Sequence, residues 1–438
     1  MASLFGALTV AVGGLTAQSD AIGNISDDLS NAQTTGFKAI GTDFESLVTE
    51  SNAADNEPGG VIAKPQYQND IQGNLVQSGT PTSLAITGQG FFAVEAAATN
   101  SSGATVFSGT TLFTRQGDFT LNDSGYLVNG SGYYLLGYSV DNNGAVNSST
   151  TAPIQISALL DNPVATTSAT FNANLPSNAT AGSYTSSAST IQIFDGLGDT
   201  HNMSLTWNKT GTNQWDLKVD VTDGKSSISD YTATIPFTFN STSNTGTIQS
   251  IATGSGYTVS TNTSGDPADV SFVLSFAGAS TAQTVALQFG DYDESNGLTQ
   301  FSDPTATVNV NSFSQNGLPE GSFSSLGIDS SGNVSLNYNN GSSKVIAQIP
   351  IVQFFAQDQL QRITGGAYSA TLASGTPRYG TAGSNGAGTI VGGSLESSNV
   401  DIATEFTDMI QAQQIYSANA KTISTVDNML NTIINTIQ

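Results

Sequence analysis

The chain has 438 residues, no cysteine, and a formal net charge of −24 from 34 acidic and 10 basic side chains. With the bases scattered, that excess argues against a sequence-independent nucleic-acid site or an anionic-membrane patch, and the lack of cysteine removes disulfides, thiolate metal ligands and cysteine nucleophiles. Charged residues make up only 10% of the chain, well below the usual quarter or so, and Ser, Thr, Asn and Gly fill the surface, as in an extracellular or assembled protein rather than a cytosolic enzyme.

The first and last segments are the only long ones with helical hydrophobic spacing. At the N-terminus the apolar positions run Leu4, Leu8, Val12, Leu15, Ile22, Ile25 and Leu29. At the C-terminus they run Ile402, Phe406, Met409, Tyr416, Ile423, Val426, Leu430, Ile433 and Ile437. Steps of three, four and seven make one stripe per helix, as in a coiled-coil seam. Neither stripe can be buried alone, so each pairs with the other or with further copies of the chain. Gly13, Gly14 and Gly23 each cost roughly 1 kcal/mol of helix stability, which predicts an N-terminal helix that orders on assembly.

Between the helices the pattern is strand and turn. Residues 35–70 read as an extended linker punctuated by Gly and Pro, with 359–397 as its return. Residues 71–150 and 305–358 read as one discontinuous β domain, because two similar hairpins flank a long middle. The first turns at Asn122 to Gly125 and the second at Asp329 to Gly332. Residues 151–304 read as an inserted antiparallel barrel or sandwich, since Met203, Leu205, Trp207, then Trp215, Leu217, Val219, then Val270, Phe272, Leu274 alternate with period two. The expected architecture is nested and mainly β: residues 1–34 and 398–438 pair as a coiled-coil-like helical domain, a discontinuous β domain lies within, and a second β domain is inserted in that. No run of 18 apolar residues suggests a membrane span, and the N-terminus, whose first Lys is Lys38, lacks the basic start and apolar core of a secretory signal.

Candidate chemistry is sparse. His201 is the single histidine and reads as a surface or turn residue beside Asp199. The acidic turns at Asp141 and Asp329 lack the oxygen-ligand run of a calcium loop and suit hairpin turns. The Gly88/Gly90 and Gly386/Gly388 pairs do not lead from a strand into a helix as a phosphate loop does, and no carboxylate pair stands out for glycoside chemistry. No catalytic, cofactor-binding or metal-binding residue is therefore assigned, and assembly is the chemistry that remains.

Several stretches resemble bacterial flagellar rod and hook proteins. NAQTTGFK, from Asn31 to Lys38, is similar to the segment after that family's first helix, and GQGFFAV, from Gly88 to Val94, to its next shared motif. FTRQGDFTLNDSGYLVNGSGYYLLGY, from Phe113 to Tyr138, resembles its first β-domain repeat, and the stretch from Gly392 to Leu430 resembles its terminal helix. IFDGLGDTHNMSLTW, from Ile193 to Trp207, and the stretch from Gly327 to Phe354 look like the hook branch. Gln414 stands where the family commonly has Arg, and Asp28 and Ser30 alter the usual turn before Asn31.

The resemblance implies a structural subunit of the flagellar hook, located in the flagellum outside the cell, that leaves through the type III export apparatus without a cleaved signal. It would polymerise with its own copies into a curved tube and meet the flagellar rod, the hook cap and the hook-filament junction proteins, with no cofactor, nucleic acid or membrane insertion. A distal rod subunit and a secreted adhesin or glycan-binding β protein are the alternatives. The expected assembly residues are Leu8, Leu15, Ile22 and Leu29 on one helix and Phe406, Met409, Tyr416, Ile423 and Leu430 on the other. Asn31, Gly36 and Phe37 are expected to set the angle between helix and β domain.

Overall fold

The computed structural model describes residues 2–51, 56–99, 105–141, 144–157, 160–222, 231–276 and 282–437. The chain forms two compact units, one comprising Met1–Ser157, Ser325–Leu336 and Ser343–Gln438, the other Ala158–Ser324 and Asn337–Ser342. The architecture is mainly β with one long helix near each end: α1 (Ala2–Ser30) and α2 (Ile402–Ile437).

In the first unit α1 and α2 lie antiparallel. A Cβ on Gly14 would meet the Asn419 side chain at 2.7 Å, while Asp28, two helical heptads further on, feels the charge of Glu405. On α2 the positions shielded from solvent are Glu405, Met409, Ala412, Asn419, Ile423, Val426, Leu430 and Ile433, a three-four spacing that keeps one seam on the partner helix. On α1 the buried residues are Ala11, Gly14, Ala17, Gln18, Ala21, Ile25 and Asp28. The large side chains expected to form that seam, Leu8, Leu15, Ile22 and Leu29, are only half-buried beside it. Small residues also let a neighbouring backbone approach α1: the Cβ position of Gly13 lies 3.5 Å from the Val61 carbonyl oxygen.

Val61 belongs to a hairpin that replaces the expected linker over 35–70. Strands β1 (Ile40–Ser51) and β2 (Asn56–Tyr67) pair antiparallel from Ile40 opposite Tyr67 onward. The hairpin lies along α1, tied by an Asn24 Nδ2 hydrogen bond to Thr42 Oγ1 at 2.9 Å. The second expected linker, 359–397, also carries strands. Ala367–Ser369 pairs with Thr105–Thr114, Thr389–Gly392 with Leu84–Thr87, and Ser394–Glu396 with Leu75–Gln77. Short Gly-punctuated strands read as linker because each finds its partner several hundred residues away. The β domain's sheet runs in the order Ser343–Gln348, Tyr133–Val140, Phe91–Thr99, Thr105–Thr114, Ala367–Ser369, Gln361–Ile363, over a core that includes Phe92, Phe119, Leu135, Ile349 and Ile351.

The second unit has two five-stranded sheets around one core in which Trp207, Trp215, Phe171, Phe237 and Phe289 are fully buried. Among the described residues its strands pair antiparallel, apart from Ser168–Asn174 running parallel to Gln283–Asp291 and a parallel bridge from Asn174 to Thr299. The unit extends past residue 304 because Asn309–Gln315 pairs with Ser168–Asn174. His201 is 4% exposed rather than a surface residue. It shares the inward parity of Met203, Leu205 and Trp207 on strand Thr200–Gly211, and its ring stacks on Phe276 at 3.9 Å with Asp195 Oδ2 3.5 Å from Nε2. Truncating Trp207 to Ala should cost about 3–5 kcal/mol in chemical unfolding followed by fluorescence of Trp215, with the far-UV helix signal of the terminal pair unchanged.

Candidate functional site

The first unit's charges converge where α1 hands over to the hairpin. Helix α1 stops as the Asn31 side chain folds back, its Nδ2 donating to the Asp27 carbonyl and to Asp27 Oδ1, both at 2.9 Å, while Thr34 Oγ1 donates to Asn31 Oδ1. Gly36 then adopts φ +68°, left-handed backbone that glycine takes without penalty, and a Cβ there would sit 2.7 Å from the Arg115 carbonyl carbon. Its N–H donates to the Glu396 carbonyl at 2.7 Å. The next residue, Phe37, lies under the Arg362 guanidinium at 4.6 Å, a cation–π contact.

One step further the chain buries three charges. Lys38 and Glu396 are 0% exposed and Arg115 is 1% exposed. Glu396 Oε1 accepts from Lys38 Nζ at 2.5 Å and from the Gly73 N–H at 2.9 Å, and Oε2 accepts from Arg115 Nη1 at 3.0 Å. With two cations to one carboxylate, backbone carbonyls take further donors, Ile71 from Lys38 at 2.6 Å and Gly88 from Arg115 at 2.6 Å, and among the described residues Arg115 Nε has no hydrogen-bond partner. Burial pushes both the Lys38 ammonium and the Arg115 guanidinium below their ordinary values, with Glu396 opposing it. Around this cluster, Asn399 accepts from the Ala39 N–H at 2.7 Å and donates to the Gln68 and Ile71 carbonyls, each at 3.2 Å. Arg362 donates to the Lys38 carbonyl.

Asp28, buried at the end of α1, accepts the Ile40 N–H with both carboxylate oxygens at 3.0 and 2.9 Å. Desolvation, reinforced by Glu405 and Asp27, pushes its carboxyl up to about 7 against the Ile40 hydrogen bond and Arg362. A cavity of about 430 Å³ adjoins, lined by Gln18, Ala21, Ile25, Glu405, Asp408 and Ala412 among others. Among the described residues no group of three or more His, Asp or Glu could hold a metal ion, and no described helix is long and apolar enough to cross a membrane.

Of the expected residues, Asn31, Gly36 and Phe37 come together at this joint, and Met409, Ile423 and Leu430 face α1. Phe406 and Tyr416 do not: they are 49% and 43% exposed. Sequence reasoning missed Lys38, Arg115, Glu396, Arg362, Asn399 and Asp28. A signal existed, for Lys38, Arg115 and Glu396 each fall inside a different one of the resembling stretches, and two of the chain's 10 bases sit there. Gln414 is exposed on α2.

Two predictions follow from the charges. Because Asp28 is raised above its unfolded value near 3.8, the folded joint takes up a proton. Its stability should therefore rise as pH falls from about 7 towards 4 and be lost above 7; hydrogen exchange of the Ile40 amide across this range should show it, and Asp28→Asn should flatten the dependence. Glu396→Gln strands Lys38 and Arg115 and should cost about 3–5 kcal/mol. Both tryptophans lie in the second unit, so the loss should appear in the helix signal by circular dichroism and not in tryptophan fluorescence.

Family models match along most of the chain: the flagellar hook protein FlgE/F/G D1 domain at residues 85–182, the flagellar basal body protein FlaE D2 domain at 159–318, and the flagellar basal body rod FlgEFG protein C-terminal at 391–436. The flagellar hook protein FlgE of Brucella melitensis is 30% identical over 440 residues, covering 99% of each chain. That of Escherichia coli K12 is 29% identical over 449 residues, covering 98% of this chain and 99% of its own. The crystal structure of Helicobacter pylori flagellar hook protein FlgE2 aligns with a TM-score of 0.48 at 16% identity, over 72% of this chain and 98% of that one. The Brucella melitensis match, at 30% identity over 99% of each chain, shows that the chain belongs to the flagellar hook protein family.

Proposed function

We propose that the chain is the structural subunit of a flagellar hook and that copies of it polymerise helically, through the terminal helices, into a curved tube that passes torque from rod to filament. The observation that carries this reading is the breadth of the apolar face on α2. Positions flanking the seam, which in a two-stranded coil usually hold Glu and Lys, here hold Phe406 and Ile434 on one side and Ile415 and Met429 on the other, exposed by 49, 55, 46 and 51%. Pairing with α1 leaves them uncovered, and a helix apolar on several sides is one meant to be buried on several sides. Repetition of one heterologous contact between identical subunits gives an open helical polymer.

The remaining parts of the reading follow the same logic. A chain free of cysteine threads an export channel without disulfides to reduce, which suits the type III route and assembly beneath a cap, between the rod and the hook-filament junction. The uncharged Ser, Thr and Asn surface of the inserted unit suits contacts that slide as a tube bends. No reaction is assigned to the chain.

Electron microscopy of the full chain beside one lacking residues 1–34 and 398–438, each seeded with hook fragments, tests the reading. Tubes from the full chain alone, and their loss in Tyr416→Ala with the monomer's melting temperature unchanged, are the expected outcome. Soluble monomers from the full chain would overturn it.

A further inference from the structure

The sequence contains six Asn-Gly pairs, beginning at Asn129, Asn143, Asn296, Asn316, Asn340 and Asn385. Such a pair carries a reaction of its own, since the glycine nitrogen can attack the asparagine amide with no Cβ in the way. The attack needs a free glycine N–H and an unrestrained amide, so the fold decides which pair reacts. Asn143 lies outside the described residues, and four of the other five pairs are held. Asn129 is buried and accepts the Ser131 and Tyr133 N–H groups, while the Gly130 N–H donates to Asp118 Oδ2. Asn296 is clamped at both ends of its amide by Asp291. Asn316 accepts the Thr167 and Ser168 N–H groups and donates to Thr167 Oγ1, while the Gly317 N–H donates to Gln315 Oε1. Asn340 donates to the Pro319 carbonyl and accepts the Ser342 N–H, while the Gly341 N–H donates to the Tyr338 carbonyl.

Asn385 and Gly386 differ on each count. They are the central residues of an exposed turn closed by the Ala387 N–H on the Ser384 carbonyl at 2.9 Å. Their φ values are +51° and +79°, the left-handed backbone that Asn and Gly tolerate in turns. Among the described residues neither the Asn385 side chain nor the Gly386 N–H has a hydrogen-bond partner. A Cβ on Gly386 would meet nothing within 4 Å, so a ring has room to form there.

We propose that Asn385 is a self-modifying site, at which the chain deamidates through a cyclic imide. The Gly386 nitrogen gives its proton to solvent and bonds to Asn385 Cγ; the Cγ–Nδ2 bond breaks, and the amide nitrogen takes up a proton and leaves as ammonia. Water then opens the ring at one of its two carbonyls, leaving aspartate or isoaspartate and one more negative charge in the turn. The isoaspartyl product also adds a carbon to the main chain next to Gly386, whose carbonyl accepts from Gln353 Nε2 at 2.8 Å.

Peptide mapping by mass spectrometry of the full chain, aged at mildly alkaline pH, tests the proposal. In the native chain Asn385 should convert roughly tenfold or more faster than any of the four held pairs, with isoaspartate among the products. In urea, where the restraining hydrogen bonds are gone, the five rates should converge. Asn385→Gly, unstrained at positive φ, should abolish the early conversion with the melting temperature unchanged. Conversion of a held pair at the Asn385 rate in the native chain, an Asn385 amide that persists while held pairs convert, or aspartate formed without isoaspartate would each overturn it.

Discussion

The Glu396 carboxylate holds the first unit together. It is fully buried, pairs with both Lys38 and Arg115, and accepts the Gly73 N–H, so four distant parts of the chain meet on one side chain. Burying a charge is costly unless it is paired and hydrogen-bonded, and two cations against one acid would be unfavourable without the carbonyls of Ile71 and Gly88. The arrangement therefore tolerates little variation: the Gly36 turn, the hairpin's start and the approach to α2 must all be in place for these pairings to form. Glu396 lies near the C-terminal end and its partners in the first third of the chain, so the cluster closes only when both ends are present.

From that fixed point the terminal helices project as a pair whose two faces differ. Towards α1 the contact line is small residues on one helix and a heptad seam on the other, with the Asn419 side chain seated against Gly14. Away from α1, the apolar side chains at 406, 415, 429 and 434 stay uncovered. A subunit whose joint is rigid and whose helices are unfinished can be stable alone and still gain much by adding to a polymer. The raised Asp28 carboxyl places a proton-dependent contact between these two regions, at the end of α1 beside Glu405.

Periodicity made the helices, the second unit's strands and the nested order legible, because each depends on local spacing. Contacts made at long range were not legible. The hairpin Ile40–Tyr67 read as linker since its strands mix Gly, Pro and acids, and its burial comes from lying on α1. Large residues at 15, 22 and 29 suggest an α1 seam one position away from the buried line at 14, 21 and 28, where close packing selects small side chains. His201 and Lys209 lie on the inward parity of a strand whose other inward residues are apolar, so parity alone would have placed them inside. The motif stretches that pointed to the family contained Lys38, Arg115 and Glu396, but only the fold shows that their charges meet.

Native-state hydrogen exchange of the full chain tests the central claim most directly, by following the amides of Gly36 and Gly73, which donate to the carbonyl and the carboxylate of Glu396. If this residue ties the joint into one unit, both amides open with the same free energy and both lose protection together in Glu396→Gln. Separate opening energies, or protection at Gly73 that survives the substitution, would contradict it.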